Sequence, residues 1–243
     1  MSLETVPLIC VLNTAKGMIV KMYKAFFDMD RDRIMKKAFL DISKQGIIKK
    51  YPKNSIIEIQ DKKFYIVTKG RICYSFYSIE GGEKIFYFIS GGGVFGELEY
   101  FEECRSELVV KAAKDSEISI LDEEQLEQIF LENPEIYRYI IYNLIRKLRI
   151  LMSVMVNMAF GDSNGKVADT LIRWFYQEGP IDDQDVRIRK RFTHEEISKI
   201  LGCSRATVTK ALNQFQDKDL IKVNGDQITI KDIEGLSEYI TWK

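Results

Sequence analysis

Thr193-His194-Glu195-Glu196-Ile197-Ser198-Lys199-Ile200-Leu201-Gly202-Cys203-Ser204-Arg205-Ala206-Thr207-Val208-Thr209-Lys210-Ala211-Leu212 reads as two short helices hinged at a glycine. Thr193 and Glu196 have capping-box spacing: the hydroxyl takes an orphan amide of the first helix, and the carboxylate reaches back to the cap. Gly202 follows where a left-handed turn is needed and a side chain would clash. Ser204 caps a second helix whose apolar positions Val208, Ala211, Leu212 and Phe215 recur at helical spacing and point inward. The opposite face carries Arg205, Ala206, Thr209, Lys210 and Asn213. This pattern predicts a helix-turn-helix, which lays the N-terminal residues of its second helix against base edges in the DNA major groove. The expected DNA-facing set is Ser204, Arg205, Ala206, Thr209 and Lys210, with Lys199 from the first helix.

Downstream, Leu220-Ile221-Lys222-Val223 and Gln227-Ile228-Thr229-Ile230 are β-rich runs separated by Asn224-Gly225-Asp226. Asn-Gly between two such runs signals a hairpin, which makes the domain a winged helix. The plainer alternative is an ordinary α+β domain with Arg205 and Lys210 as solvated charge. Caps, glycine, inward set and polar face all agree with the winged helix.

The 243 residues suit two modest domains, and 46% hydrophobic content supplies a core for each. The 36 Lys and Arg are balanced by 36 Asp and Glu, and residues 160–243 are balanced on their own. Any electrostatic footprint for nucleic acid must therefore be local, from Arg187, Arg189, Lys190 and Arg191 with Lys199, Arg205 and Lys210. Cys10, Cys73, Cys104 and Cys203 are scattered without a CxxC pair, which points to a reduced, cytoplasmic protein. The apolar stretch Val6 to Leu12 is too short to span a bilayer, and no membrane partner is expected.

Residues 1 to about 45 read as helical. From Ile48 to Leu121, short β-rich runs (Ser55 to Ile59, Phe64 to Thr68, Arg71 to Ser78, Glu83 to Ile89, Leu108 to Ala112, Glu117 to Leu121) alternate with glycine turns, as in a barrel or jelly roll. Glu123 to Asn133 reads as a helix, and Pro134 opens a longer one to about Phe160. Along it Ile140, Leu144, Leu148, Leu151, Met155 and Met158 form a seam of coiled-coil type that wants a partner. Gly161-Asp162-Ser163-Asn164-Gly165 reads as a hinge. The expected division is a sensing domain at 1–133, a dimerisation helix at 134–160 and a DNA-binding domain at 161–243.

Phe95-Gly96-Glu97-Leu98, with Arg105-Ser106 nine residues after Gly96, carries a second chemistry. Gly96 permits close approach of an anion, Arg105 offers a guanidinium fork for phosphate, Ser106 a hydroxyl, and Glu97 an acceptor for a sugar hydroxyl. On its own the pattern is equally served by turn glycines and a surface Arg–Glu pair. No paired carboxylates, nucleophile–base pair or metal cluster stands out, so no catalytic or metal-binding residues are assigned and no enzyme is expected.

Tyr51-Pro52, Tyr65-Ile66-Val67-Thr68-Lys69-Gly70, Phe95-Gly96-Glu97-Leu98, Arg105-Ser106, Asn157-Met158-Ala159-Phe160 and Gly202-Cys203-Ser204-Arg205-Ala206-Thr207-Val208 together resemble, in the same order, the Crp/Fnr family of bacterial transcription regulators. The resemblance covers about residues 45 to 235. It implies an α+β chain with an N-terminal cyclic-nucleotide-binding-like β-roll, a long dimerisation helix and a C-terminal winged helix-turn-helix. It further implies a homodimer on a palindromic double-stranded DNA operator, contact with RNA polymerase, and control by a small-molecule effector. In cyclic-AMP-binding members the matching positions Gly96, Glu97, Leu98, Arg105 and Ser106 hold ribose and cyclic phosphate. Leu151 and Met152 stand where those members read adenine with a Thr-Ser pair, and neither forms such a hydrogen bond. They are expected to close the effector pocket, which favours a small organic anion or a nucleotide held differently. Cysteine placement argues against an iron–sulfur cluster, and the single histidine, His194, reads as a surface residue rather than a haem ligand. On the recognition helix, Glu and Arg are common in the family at the positions of Ala206 and Lys210. The alternative function is a ligand-binding regulatory module whose winged helix contacts protein.

Overall fold

The computed structural model describes residues 18–102, 107–178 and 192–241. Arg105 and Ser106 of the cassette, Cys10, Cys104, the stretch Val6 to Leu12, and the basic group Arg187, Arg189, Lys190 and Arg191 lie outside them. Contacts divide the chain into one unit of residues 30–147 and another of residues 1–29 with 148–243.

In the first unit, helix α2 (Met29–Ile42) and a short 3-10 turn (Ser43–Gln45) lead into eight strands: β1 (Ile47–Tyr51), β2 (Ile56–Ile57), β3 (Lys63–Lys69), β4 (Arg71–Tyr77), β5 (Glu83–Ser90), β6 (Val94–Phe95), β7 (Val109–Ala112) and β8 (Ser116–Asp122). They form two antiparallel four-stranded sheets, β1-β8-β3-β6 and β2-β7-β4-β5. Strand β3 explains the double layer, because Phe64-Tyr65-Ile66-Val67 is buried on both faces. Tyr65 and Val67 pack between the sheets with Ile72, Tyr74, Phe95 and Ile118. Phe64 and Ile66 face the helices, against Phe39, Leu121, Leu126, Ile129 and Ile140. The expected strands are present within a residue or two, except that Ser55 to Ile59 shrinks to Ile56–Ile57. Strand β1 escaped notice because it is an edge strand with Ile47, Ile48, Lys49 and Lys50 all exposed, so it carries no alternation.

Helix α3 (Glu97–Glu102) follows β6, and α4 (Glu123–Glu132) is opened by a capping box between Asp122 and Gln125. Helix α5 (Glu135–Phe160) runs uninterrupted for 26 residues. It has two apolar stripes, and the seam read from spacing mixes them. Ile136 and Ile140 are buried in the roll core, with Leu144 packed against it. The exposed stripe is Tyr137, Ile141, Ile145, Leu148, Met152 and Met155. From Tyr137 its steps run four, four, three, four and three, the heptad rhythm of a coiled coil.

The second unit holds α1 (Met18–Phe26), the C-terminal part of α5, then α6 (Ser163–Glu178), α7 (His194–Leu201), α8 (Arg205–Asp217), the hairpin β9 (Ile221–Asn224) and β10 (Gln227–Ile230), and α9 (Ile233–Ser237). Two expectations change here. The N-terminal helix, placed by sequence with the roll, packs on α6 and α9. The five-residue hinge shrinks to Gly161 and Asp162, because the Asp162 carboxylate accepts the Gly165 amide at 2.6 Å and so starts α6 at Ser163. In the hairpin, Asn224 pairs with Gln227, leaving Gly225-Asp226 as the two-residue loop with glycine first.

Candidate nucleic-acid interface and effector cassette

The recognition face is built from local rules. Thr193 Oγ1 accepts the Glu196 amide at 3.1 Å, and the Glu196 carboxylate accepts the Thr193 amide at 2.9 Å. Gly202 sits at φ 67°, ψ 37°, and its amide closes α7 on the Ser198 carbonyl at 2.8 Å. Ser204 then caps α8 by accepting the Thr207 amide at 3.1 Å. Val208, Ala211, Leu212 and Phe215 are buried, which turns Arg205, Ala206, Lys210 and Asn213 outward. These four, with Thr209, Gln214 and Asp217, line one open groove along α8. Replacing Gly202 by Ala should destabilise this unit by about 1–2 kcal/mol, the cost of a left-handed backbone carrying a Cβ. A urea midpoint equivalent to under about 0.5 kcal/mol of loss would contradict this.

Thr209 and His194 meet across the two helices. The Thr209 hydroxyl donates to the Arg205 carbonyl at 3.0 Å and lies 2.9 Å from His194 Nδ1. A hydroxyl has one proton, so His194 is the donor in the second bond. His194 is thus a half-buried brace between the two helices, and the Thr209 hydroxyl is committed within the motif. Lys199 pairs with Glu195 at 3.6 Å on the same helix. Sequence reasoning missed Asn164, whose Nδ2 donates to Gln214 Oε1 at 3.0 Å and ties α6 to α8; no spacing rule links residues fifty apart.

In the roll, Gly96 has φ 83°, and a Cβ there would stand 2.6 Å from Tyr65 Cδ2, so only glycine fits. Its amide donates to the Tyr74 hydroxyl at 3.3 Å. Glu97 is buried and ion-paired with Lys147 of α5, which also donates to the Val94 carbonyl at 3.1 Å. The Lys147 ammonium lies 5.4 Å from the Tyr87 ring, and Tyr87 packs 5.2 Å from Tyr74. Burial foremost, and then the charge of Glu97, push both phenols well above their ordinary range, so they stay neutral. Leu98 is half-buried. Leu151 and Met152 belong to the other unit, where Met152 is 56% exposed on the apolar stripe of α5. Among the described residues no group of three or more His, Cys, Asp or Glu could hold a metal ion, and no helix is long and apolar enough to cross a membrane.

A helix-turn-helix with a hairpin wing, joined by a long helix to a double-sheet roll with a Gly-Glu-Leu cassette, defines a DNA-binding transcription regulator with a sensor of the cyclic-nucleotide-binding type. Residues 48–133 match the cyclic nucleotide-binding domain family, and residues 165–239 the Crp-like helix-turn-helix domain. The chain is 30% identical over 187 residues to the cAMP-activated global transcriptional regulator CRP of Salmonella typhimurium, covering 75% of this chain and 89% of that protein. A CRP-like cAMP-activated regulator of Mycobacterium tuberculosis is 26% identical over 175 residues, 72% of this chain and 78% of the relative. The chain belongs to the Crp/Fnr family of transcription regulators, and its relatives are regulators rather than enzymes. Its fold is shared with a mutant of CooA from Carboxydothermus hydrogenoformans (TM-score 0.71, 21% identity, 83% of this chain and 90% of that one). FixK2 from Bradyrhizobium japonicum shares it too (TM-score 0.69, 19% identity, 82% and 98%).

Proposed function

We propose that the chain acts in the cytoplasm as a homodimer joined along α5, binding a palindromic operator through α8 and answering to a small anionic effector in the roll. The observation that carries this reading is the exposed apolar stripe of α5, whose heptad spacing suits a second copy of the same helix. Arg205, Ala206 and Lys210 are assigned to base edges, Ser204 and Lys199 to the phosphate backbone, and Thr209 to holding the helix. RNA polymerase is the further partner that regulation requires.

The effector set is Gly96, Glu97, Leu98, Arg105 and Ser106, with Met152 reassigned to the dimer seam and Leu151 beside it. Relatives bear the name cAMP-activated. Here the Gly96 amide is taken by the Tyr74 hydroxyl and one Glu97 carboxylate oxygen by Lys147, so part of the cassette's bonding capacity is already used inside the roll. We therefore assign a small organic anion, or a nucleotide held in another way, with Arg105 as its cationic partner. In a promoter reporter, Arg105→Ala should abolish the response to effector while leaving the folded dimer intact. An unchanged response would make the cassette structural, and tight calorimetric binding of cyclic AMP would overturn the ligand assignment.

A further inference from the structure

The matched family regions begin at residue 48 and leave helix α1 unexplained, yet its Tyr23 is among the most deeply buried side chains of the molecule. The Tyr23 hydroxyl donates to Oδ1 of Asp169 on α6 and lies 2.6 Å from Ser153 Oγ on α5. Asn157, one turn further along α5, donates its Nδ2 to the other carboxylate oxygen of Asp169. Tyr23, Ser153, Asn157 and Asp169 are all buried, Asp169 completely. Phe27 stacks on Tyr23 at 6.1 Å, and the Arg149 guanidinium covers the Phe26 ring at 4.5 Å.

Tyr23 has one hydroxyl proton and spends it on Asp169, which leaves the Ser153 hydroxyl facing two acceptors, the Tyr23 oxygen at 2.6 Å and Asp169 Oδ2 at 3.5 Å. The carboxylate thus gathers Tyr23 from α1 and both Asn157 and, at 3.5 Å, Ser153 from α5. A buried polar network of this kind is satisfied in a single arrangement of its helices, since any shift leaves a charge or hydroxyl without a partner. Only Gly161 and Asp162 separate α5 from α6, so the side-chain bonds that cross this joint help to set the angle between the two helices. The Asn157–Asp169 bond crosses the joint, and Tyr23 closes it from a third helix.

We propose that Tyr23 is a positioning residue for operator recognition. Through Asp169 it fixes the angle between α5 and the winged-helix body, and hence the separation of the two recognition helices in the dimer. The proposal rests on the dimer-on-palindrome reading above. Half-site spacing is the quantity that such a brace controls, because each recognition helix must meet its own major-groove segment.

The test measures affinity for palindromes whose half-sites are moved one and two base pairs closer or further apart, and for a single half-site. Wild type should prefer one spacing. Tyr23→Phe keeps the ring and removes the donor. It should lose about tenfold at the preferred spacing, the scale of one buried hydrogen bond, with the spacing profile flattened and the single half-site unaffected. Asp169→Asn keeps an acceptor for Tyr23 but not for Asn157, and it should flatten the profile in the same way; it decides the matter if Tyr23→Phe does not fold. An unchanged profile in the folded dimeric variant would overturn the proposal. So would equal losses at palindrome and single half-site, which would reduce Tyr23 to a prop of the fold. A wild type indifferent to spacing would overturn the dimer reading and this proposal with it.

Discussion

Leu148→Glu combined with Met155→Glu should convert the protein to monomers and weaken binding to a palindromic operator by about 100-fold or more, the avidity lost when two linked half-sites become independent. Leu148 and Met155 are 57% and 68% exposed in the single chain, so the substitutions leave the core of each protomer untouched. In a parallel pair of α5 helices the same residues meet their copies across the seam. Each dimer would then bury four carboxylates, at several kcal/mol apiece without a partner. Sedimentation velocity at micromolar concentration reads the oligomeric state, and thermal unfolding reports whether each protomer remains folded. A double variant that stays dimeric, or a wild type that is monomeric with and without DNA, would refute the prediction.

Selection from a randomised palindromic library should yield half-sites shifted toward A·T at the base step facing Ala206, and Ala206→Glu should restore preference for G·C there by about 1–3 kcal/mol, the value of one good base contact. Ala206 is exposed in the first turn of α8, beside Arg205 and on the same groove as Lys210. Its methyl accepts no hydrogen bond from a cytosine amino group but packs on a thymine methyl. Lys210 donates as a point charge and lacks the planar fork that selects guanine bidentately, so selection at its neighbouring base should be looser than with arginine. The Thr209 hydroxyl is engaged by the Arg205 carbonyl and His194, so the base contacts proposed for this face are those of Arg205, Ala206 and Lys210. A strict G·C requirement in the wild type at the Ala206 step would defeat this account.

The winged helix was legible because every rule that shapes it is local. Thr193, Glu196, Gly202, Ser204 and the inward set from Val208 to Phe215 lie within one short stretch, and cap, turn and periodicity each act over a few residues. The roll was legible for a similar reason, through glycine turns between β-rich runs. Strand β1 was not, since an exposed edge has no buried face to imprint a pattern. On α5 the sequence announced an apolar seam but joined two stripes into one, because periodicity reports that a position is apolar and not which neighbour covers it. The cassette was visible as Gly96 and Glu97, while their partners Tyr74 and Lys147 come from strand and helix far along the chain.

From its sequence alone, then, this protein's class is determined: a capped helix-turn-helix with a wing, a β-roll and a long helix follow from short-range sterics and hydrogen bonding. Tertiary structure alone decided which face of α5 is exposed, that the Thr209 hydroxyl is held by His194 of the preceding helix, and that α1 belongs with the winged helix. Those outcomes depend on pairs such as Tyr23 with Asp169, 146 residues apart. A buried donor and acceptor must find each other wherever the fold brings them, and no spacing in the chain records that meeting.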